Sequence, residues 1–482
     1  MFIGREDELN ALESLWGRDS GVLVTCRGRR RIGKSTLIEE FAARSSDCFI
    51  AIEGLPPRKG VSDADQRRHF CEMVAEYAEK DYTPAATWSI AFAQLNEIIP
   101  NDARTVVLLD EISWLGGHCP DFPGYLKAAW DKRLRKHPNL ILVLCGSVST
   151  WIAENILDST GFVGRDSLDL EIKELSLSDS VKMLGLNAER LSSSELLDMF
   201  SITGGVPKYI EEIKPQISAD ENIRRMCFLP RSLLFREFDD VFSAVLGRRA
   251  ESRGRILRML ADGPKSASEL AALTGTAQNG AISQALKDLC LAGFTVRESG
   301  LNPETGKPLR LERYRIGDNY TRFYLHAIEP RKTAIENGLF RFSSLEQLPG
   351  WDTLLGLQFE NLILSHIPDL FTYLGLDNSL VLSASPFVRK ASAGSKGVQV
   401  DLLIQTRRSL MVVEIKRRRE IEPCVVDEVL EKVKALRKMT DASIRTALVY
   451  DGHLAKSIPA DGFFDFILPA SKLLGVAPSP TT

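Results

Sequence analysis

Gly28-Arg29-Arg30-Arg31-Ile32-Gly33-Lys34-Ser35 fits the pattern GxxxxGK[S/T] and sits between an apolar run and an amphipathic one. The preceding Val22-Leu23-Val24-Thr25-Cys26 reads as a buried strand, and Ser35-Thr36-Leu37-Ile38-Glu39-Glu40-Phe41 reads as a helix, so the loop has the strand-then-helix setting that the pattern requires. Gly28 and Gly33 free the backbone to turn its N–H groups toward phosphate oxygens. Lys34 is placed to reach the β and γ phosphates, and the Ser35 hydroxyl to ligate Mg²⁺. Arg31, Ile32 and Thr36 complete the expected nucleotide-binding set, and a nucleotide with Mg²⁺ is the first ligand to expect.

A site that hydrolyses its nucleotide also needs a carboxylate for the metal and a group that activates water. Thr105-Val106-Val107-Leu108-Leu109-Asp110-Glu111 supplies both at the end of a continuous apolar strand. Asp110 is expected to hold Mg²⁺ and Glu111 to act as the general base. A third apolar run, Leu140 to Cys145, ends in Gly146-Ser147 and puts a hydroxyl near the inferred γ-phosphate.

These residues resemble the STAND class of P-loop ATPases within the AAA+ group. Phe2-Ile3-Gly4-Arg5-Glu6-Asp7-Glu8-Leu9 looks like the entry motif hhGRxxEL, which implies that Arg5 lies near the adenine. Gly164-Arg165 is similar to the GR element after the sensor strand, implying that Arg165 meets phosphate in cis or in trans. Thr203-Gly204-Gly205-Val206-Pro207 looks like the GGxP element of a helical lid, implying that Pro207 contributes to the nucleotide site. The resemblance also implies assembly into homo-oligomers or response to a protein trigger.

Strands near residues 22, 48, 105, 140 and 168 alternate with helices, the pattern of an α/β doubly wound parallel sheet. The chain is read as a P-loop ATPase core (1–176), a helical lid (177–245), a winged helix (250–330) and a C-terminal domain (331–482). At 482 residues and 44% apolar content there is enough chain for several cores. A net charge of −3 excludes a globally basic nucleic-acid glue but leaves local patches open. The eight cysteines show no paired zinc spacing, which fits a reducing cytoplasm. With no signal-peptide pattern and no apolar run near the length of a membrane span, neither secretion nor membrane insertion is expected.

Within 250–330 three helical segments precede a hairpin, the order of a winged helix. The third carries Ile282, Ala285, Leu286 and Leu289 on one face and Asn279, Ser283, Gln284 and Lys287 on the other. One base on that face is little for reading a major groove. Arg297, Arg310, Arg313 and Arg315 make the wing more basic, leaving phosphate contact and simple domain docking both open. The aromatics of Tyr314 to Tyr324 are expected to pack the wing strand against the next helix.

The last domain holds a second constellation. Val398-Gln399-Val400-Asp401-Leu402-Leu403-Ile404 and Ser409-Leu410-Met411-Val412-Val413-Glu414-Ile415-Lys416 read as a hairpin, and residues two apart on a strand share a face. Asp401, Glu414 and Lys416 can therefore converge, with the acids on Mg²⁺ and the ammonium at a phosphodiester. The spacing resembles the PD-(D/E)xK nucleases, which implies a further metal ligand on a preceding helix, here Glu360. With the ATPase motifs it is similar to archaeal and bacterial ATPases carrying the DUF234 domain, a resemblance that covers nearly the entire chain. Val400 stands where a proline usually precedes the aspartate. Arg417, Arg418 and Arg419 follow as a basic run.

Three functions follow: an ATP-gated nuclease acting on nucleic acid, DNA more than RNA, in defence against foreign sequences; a signalling ATPase or scaffold whose last domain binds without cutting; and a winged-helix DNA-binding regulator.

Overall fold

The computed structural model describes residues 2–56, 58, 60–147, 149–246, 249–275, 280–309, 312–340, 344–389 and 397–475. Asn279, Arg310 and the final Pro-Ser-Pro-Thr-Thr lie outside them. The chain divides into two compact units, Met1–Glu174 and Leu175–Thr482.

The first unit is built on a five-stranded parallel sheet of β1 (Val22–Gly28), β2 (Cys48–Glu53), β3 (Thr105–Asp110), β4 (Leu140–Gly146) and β5 (Asp166–Ile172), in the order β2-β3-β4-β1-β5. β1, β3 and β4 are apolar almost throughout because helices cover both faces, so no solvent side calls for alternation. On one face Phe70, Trp88, Phe92 and Phe122 form an aromatic cluster, with Trp88 and Phe122 edge-to-face at 4.7 Å between centroids. The strand order matters for chemistry. β4 lies between the strand that feeds the glycine-rich loop and the strand that ends in Asp110, so Ser147 emerges between them.

The second unit opens with helices that include Leu177–Leu184, Ser193–Thr203, Ala219–Cys227 and Leu233–Leu246. Ser193–Thr203 begins with a reciprocal capping box between Ser192 and Glu195. Three helices follow, Ala250–Ala261, Ala267–Thr274 and Gly280–Leu291, then an antiparallel pair, β6 (Thr295–Glu298) with β7 (Arg313–Ile316). Ile282, Ala285, Leu286 and Leu289 are buried as their spacing predicts. So is Asp288, which Arg253 and Arg249 hold at 2.6 and 3.4 Å. Tyr320, Phe323 and Tyr324 pack inside, as expected of their apolar rings.

The rest of the unit is the helix Trp351–Ser365 and a mixed sheet of β8 (Val381–Arg389), β9 (Val398–Thr406), β10 (Ser409–Ile421), β11 (Ser443–Leu454) and β12 (Phe466–Pro469). Its order is β12-β11-β10-β9-β8; β8, β9 and β10 run antiparallel in turn, whereas β10, β11 and β12 are parallel. The helix Cys424–Arg437 is the crossover from β10 to β11.

Candidate functional sites

The glycine-rich loop leaves the end of β1 and runs into the helix Lys34–Ser45. Gly28 has φ +149°, and a Cβ there would lie 2.5 Å from the carbonyl oxygen of Ile172 on β5, so no other residue fits. Arg31 and Gly33 also take left-handed φ, 69° and 88°, which curls the backbone into a concavity. The Lys34 ammonium is buried and donates to the carbonyls of Gly28 and Arg29 at 3.1 Å each. Both carbonyls are neutral, so its charge is left to meet an anion. Ile32 is buried under the loop, and Thr36 lies in the first turn of the helix.

Ser35 Oγ donates to Asp110 Oδ2 at 2.5 Å, bringing together the two groups assigned to one Mg²⁺. This fits a cation that takes one hydroxyl, one carboxylate and nucleotide phosphates. Glu111 sits at the N-cap of a short helix with φ 46°, and Ser147 Oγ donates to its carboxylate at 2.8 and 2.9 Å, with the Ser147 N–H adding 3.2 Å. Glu53, opposite Asp110 in the β2–β3 register, is a third acid at this sheet edge. Partial desolvation and the charges of Asp110 and Glu111 raise its pKa. Its place at the end of a predicted strand was the available signal.

Arg5, with φ 68°, straps the opening segment to the loop: its guanidinium donates to Ile32 O at 3.3 Å and to Lys173 O at 2.5 Å. It holds loop backbone. Arg165 makes a bidentate pair with Asp131 at 2.7 and 3.0 Å, so here its charge is spent on a carboxylate rather than turned to a phosphate. Pro207 lies in the second unit, at the first turn of the short helix Pro207–Ile210.

In the second unit the β9–β10 hairpin brings Asp401, Glu414 and Lys416 together. Asp401 Oδ2 accepts the Ile415 N–H at 3.0 Å, and Lys416 Nζ lies 2.8 Å from Glu414 Oε1 and 3.1 Å from Glu428 Oε2. A residue that sequence reading passed over completes the group. Lys432, on the helix Cys424–Arg437, places its ammonium 2.5 Å from Glu414 Oε2 and 3.7 Å from Asp401 Oδ1. The signal was present, because Val425, Val429 and Leu436 are buried and Lys432 falls on their 4-3-4 stripe, where a lysine is out of place without a buried acid.

Glu414 is 1% exposed at its side chain. Burial and the Glu414 charge raise the Asp401 pKa, and Lys432 and the Ile415 N–H oppose the rise. Burial works against the Lys416 charge, but Glu414 and Glu428 hold its pKa above the ordinary value. Glu360 lines a cavity of about 830 Å³ together with Asp401, Arg313, Arg315 and Arg322. Its carboxyl is pushed up to about 7 by burial and by Asp401. Among the described residues no three acidic, histidine or cysteine side chains gather to hold one ion. Glu360 thus faces the pair without joining it as a third ligand, because the lysine ammoniums are the groups that close on Asp401 and Glu414.

Several basic residues point inward. Arg315 is buried against Glu298 and Asn361 instead of facing phosphate, its guanidinium reaching to the helix Trp351–Ser365. Arg297, by contrast, is exposed and pairs with Glu312 at 3.2 Å, while Arg313 donates to Pro264 O. Arg417 turns onto Asp198 and Asp451, whereas Arg418 and Arg419 are exposed. Asp198 belongs to the helix Ser193–Thr203, and Ser201 O of that helix accepts from Asn319 Nδ2 at 2.7 Å and Gln358 Nε2 at 2.9 Å. One helix is therefore bonded both to the strand that carries Glu414 and Lys416 and to the helix that carries Glu360.

Comparison with known proteins bears on the first of these sites. Residues 2–213 match the family described as an ATPase domain predominantly from Archaea. An uncharacterized protein of Methanocaldococcus jannaschii, MJECL04, is 24% identical over 428 residues, 86% of this chain and 87% of that one. An uncharacterized ATP-binding protein of the same organism, MJ0423, is 44% identical over 41 residues, 8% of this chain and 70% of its own. Among solved structures, the Walker-type ATPase PABY2304 of Pyrococcus abyssi aligns with TM-score 0.48 at 18% identity, over 67% of this chain and 96% of its own. The Aeropyrum pernix ORC2 protein aligns with TM-score 0.42 at 14% identity, over 70% and 94%. No helix among the described residues is long and apolar enough to cross a membrane. With a parallel sheet, a glycine-rich loop closing on a buried lysine, and the family match over the same residues, the chain carries an ATPase domain of the archaeal P-loop type.

Proposed function

We propose that the chain binds and hydrolyses ATP in its first unit and that the nucleotide state governs a metal-dependent nuclease-like site in its second. The observation that carries the first half is the double hydroxyl-to-carboxylate contact, Ser35 to Asp110 and Ser147 to Glu111, at the mouth of the loop. The loop amides and Lys34 bind the β and γ phosphates, Ser35 and Asp110 hold Mg²⁺, and Glu111, oriented by Ser147, takes the proton of the attacking water. Mg²⁺ bound with the nucleotide supplies charge neutralisation at the phosphates.

In the second unit, Asp401 and Glu414 are the metal ligands and Lys416 is the group that meets the charge developing at a phosphodiester. The segments 177–245, 250–330 and 331–482 are read as lid, winged helix and PD-(D/E)xK-like domain of a STAND/DUF234 protein acting on DNA in defence. The inward arginines of β7 favour a winged helix that docks domains over one that reads bases. Control by nucleotide is supported by the helix Ser193–Thr203, which ends at Gly204-Gly205-Val206-Pro207 and is tied to both elements of the acidic site. A non-cutting domain is the second reading, favoured by the two ammoniums already paired with Glu414.

The test is cleavage of mixed DNA and RNA with Mg²⁺ or Mn²⁺, with and without ATP, by wild type and Asp401→Ala. Cutting that vanishes in the variant and responds to ATP is expected. No cutting under any condition leaves ATP hydrolysis as the chain's chemistry.

A further inference from the structure

Lys432 holds the place that a metal would need. Its ammonium lies against one oxygen each of Asp401 and Glu414, at 3.7 and 2.5 Å, so a single positive charge already bridges the two acids. That charge also answers a physical demand. Glu414 is almost wholly buried between β9, β11 and the crossover helix, and a buried carboxylate without a counter-charge is costly enough to take up a proton instead. Lys416 does not meet the whole demand, because it divides its charge between Glu414 and Glu428.

Resting on the reading of Asp401 and Glu414 as metal ligands, we propose that Lys432 is the resident counter-cation of this pair, and that a divalent metal of the hard, oxygen-seeking class binds only by displacing it. The bridging ammonium shows that both carboxylates reach one cation. Mg²⁺ and Mn²⁺ are satisfied by one or two carboxylates with water and phosphate oxygens, so two acids suffice. An ammonium and a divalent ion cannot share the position, since at about 4 Å their repulsion exceeds the thermal energy several-fold even at surface-like dielectric. The lysine has somewhere to go. Glu428 lies one helical turn earlier on the same helix, with its side chain 43% exposed, and is within an i,i+4 reach of Lys432. Metal entry thus moves one ammonium from the buried pair to the rim of the site, and the site's metal affinity is set by how firmly the crossover helix holds Lys432 in place.

The experiment titrates Mn²⁺ into the nucleotide-free full chain and follows free Mn²⁺ by electron paramagnetic resonance. Asp110→Asn serves as the parent, to remove the metal ligand of the first unit. Lys432→Met keeps the apolar stem and removes the charge, and is expected to bind Mn²⁺ at least about tenfold more tightly than the parent. Lys432→Arg should stay as weak as the parent, and Asp401→Asn should abolish the gain. Equal or weaker binding in Lys432→Met, or a gain that survives Asp401→Asn, overturns the proposal. Should Lys432→Met fail to fold, Lys432→Gln is read by the same criteria. The titration holds no nucleic acid, so the two ideas fail separately. Tighter Mn²⁺ binding without cleavage sinks the nuclease reading alone, whereas Asp401-dependent cleavage with unchanged Mn²⁺ affinity sinks the displacement alone.

Discussion

The two acidic sites use the same residue types in opposite ways. At the glycine-rich loop the acids meet hydroxyls, Ser35 on Asp110 and Ser147 on Glu111, and the Lys34 ammonium meets backbone carbonyls. No described ion pair joins Lys34 to an acid there. In the second unit both acids are met by ammoniums, and Glu414 is met by two. The first arrangement keeps its charges available for an incoming anion and cation. The second has neutralised itself, so that losing either partner is costly and any metal is obliged to compete. Pairing lysine with acid thus holds the second site occupied, and keeping them apart leaves the first open to its ligands.

The sharpest way to break this contrast is Lys34→Ala. Its free charge is assigned to the transferring phosphoryl group, so ATP turnover should fall by more than about 10³-fold while the thermal midpoint hardly moves. Unchanged phosphate release would remove the basis for the ATP site. Glu414→Gln should behave in reverse. It leaves two ammoniums without their buried acid and should cost about 3 kcal/mol in urea unfolding, with ATP turnover retained. A loss below about 1 kcal/mol would mean the site is far more hydrated than its burial indicates.

Glu360→Gln sharpens the contrast through pH. The Glu360 carboxyl titrates near 7 when folded, against an ordinary value near 4.5, so the folded chain binds its proton more tightly. Its ionisation therefore erodes stability as pH rises from about 4.5 to 7, and the loss is complete above that window. The variant should be more stable than wild type at pH 8, by about 1–2 kcal/mol after allowance for screening, and nearly equal at pH 4.5. Melting curves at the two pH values decide it. The smallest effect is expected from Ser147→Ala, which removes one orienting hydroxyl from Glu111. It should lower ATP turnover by about tenfold and stability by about 1 kcal/mol. An unaltered rate would mean that Glu111 does not need Ser147 to be positioned.

Much of the first unit is legible in the sequence, because fully buried parallel strands are written as apolar runs and the loop's glycines are demanded locally. Asp110, Glu111 and Ser147 could be placed because each ends such a run, and strand ends in a parallel sheet fall on one edge. The hairpin of Asp401 and Glu414 was legible for a similar reason: two short strands and a polar turn leave one way to pair. Partners across the fold were not. Arg315 read as a wing arginine, yet its charge went inside to Glu298 and to Asn361, on a helix more than thirty residues away in sequence. Arg417 read as part of a basic run, yet alternation along β10 turns it to Asp198 and leaves Arg418 outside. Periodicity reports which face a side chain takes. It does not report what waits on that face, which is why Lys432 was missed although its position on an apolar stripe marked it.

Arg5 has a practical consequence for anyone handling this protein. Its guanidinium ties the first residues to the phosphate loop and to the last residues of the first unit. An affinity tag fused immediately ahead of Phe2 would pull on the nucleotide loop itself, and trimming the chain beyond residue 5 would unfasten it. A flexible spacer before the tag, or a tag elsewhere, is the prudent arrangement for any preparation whose ATP affinity is to be believed.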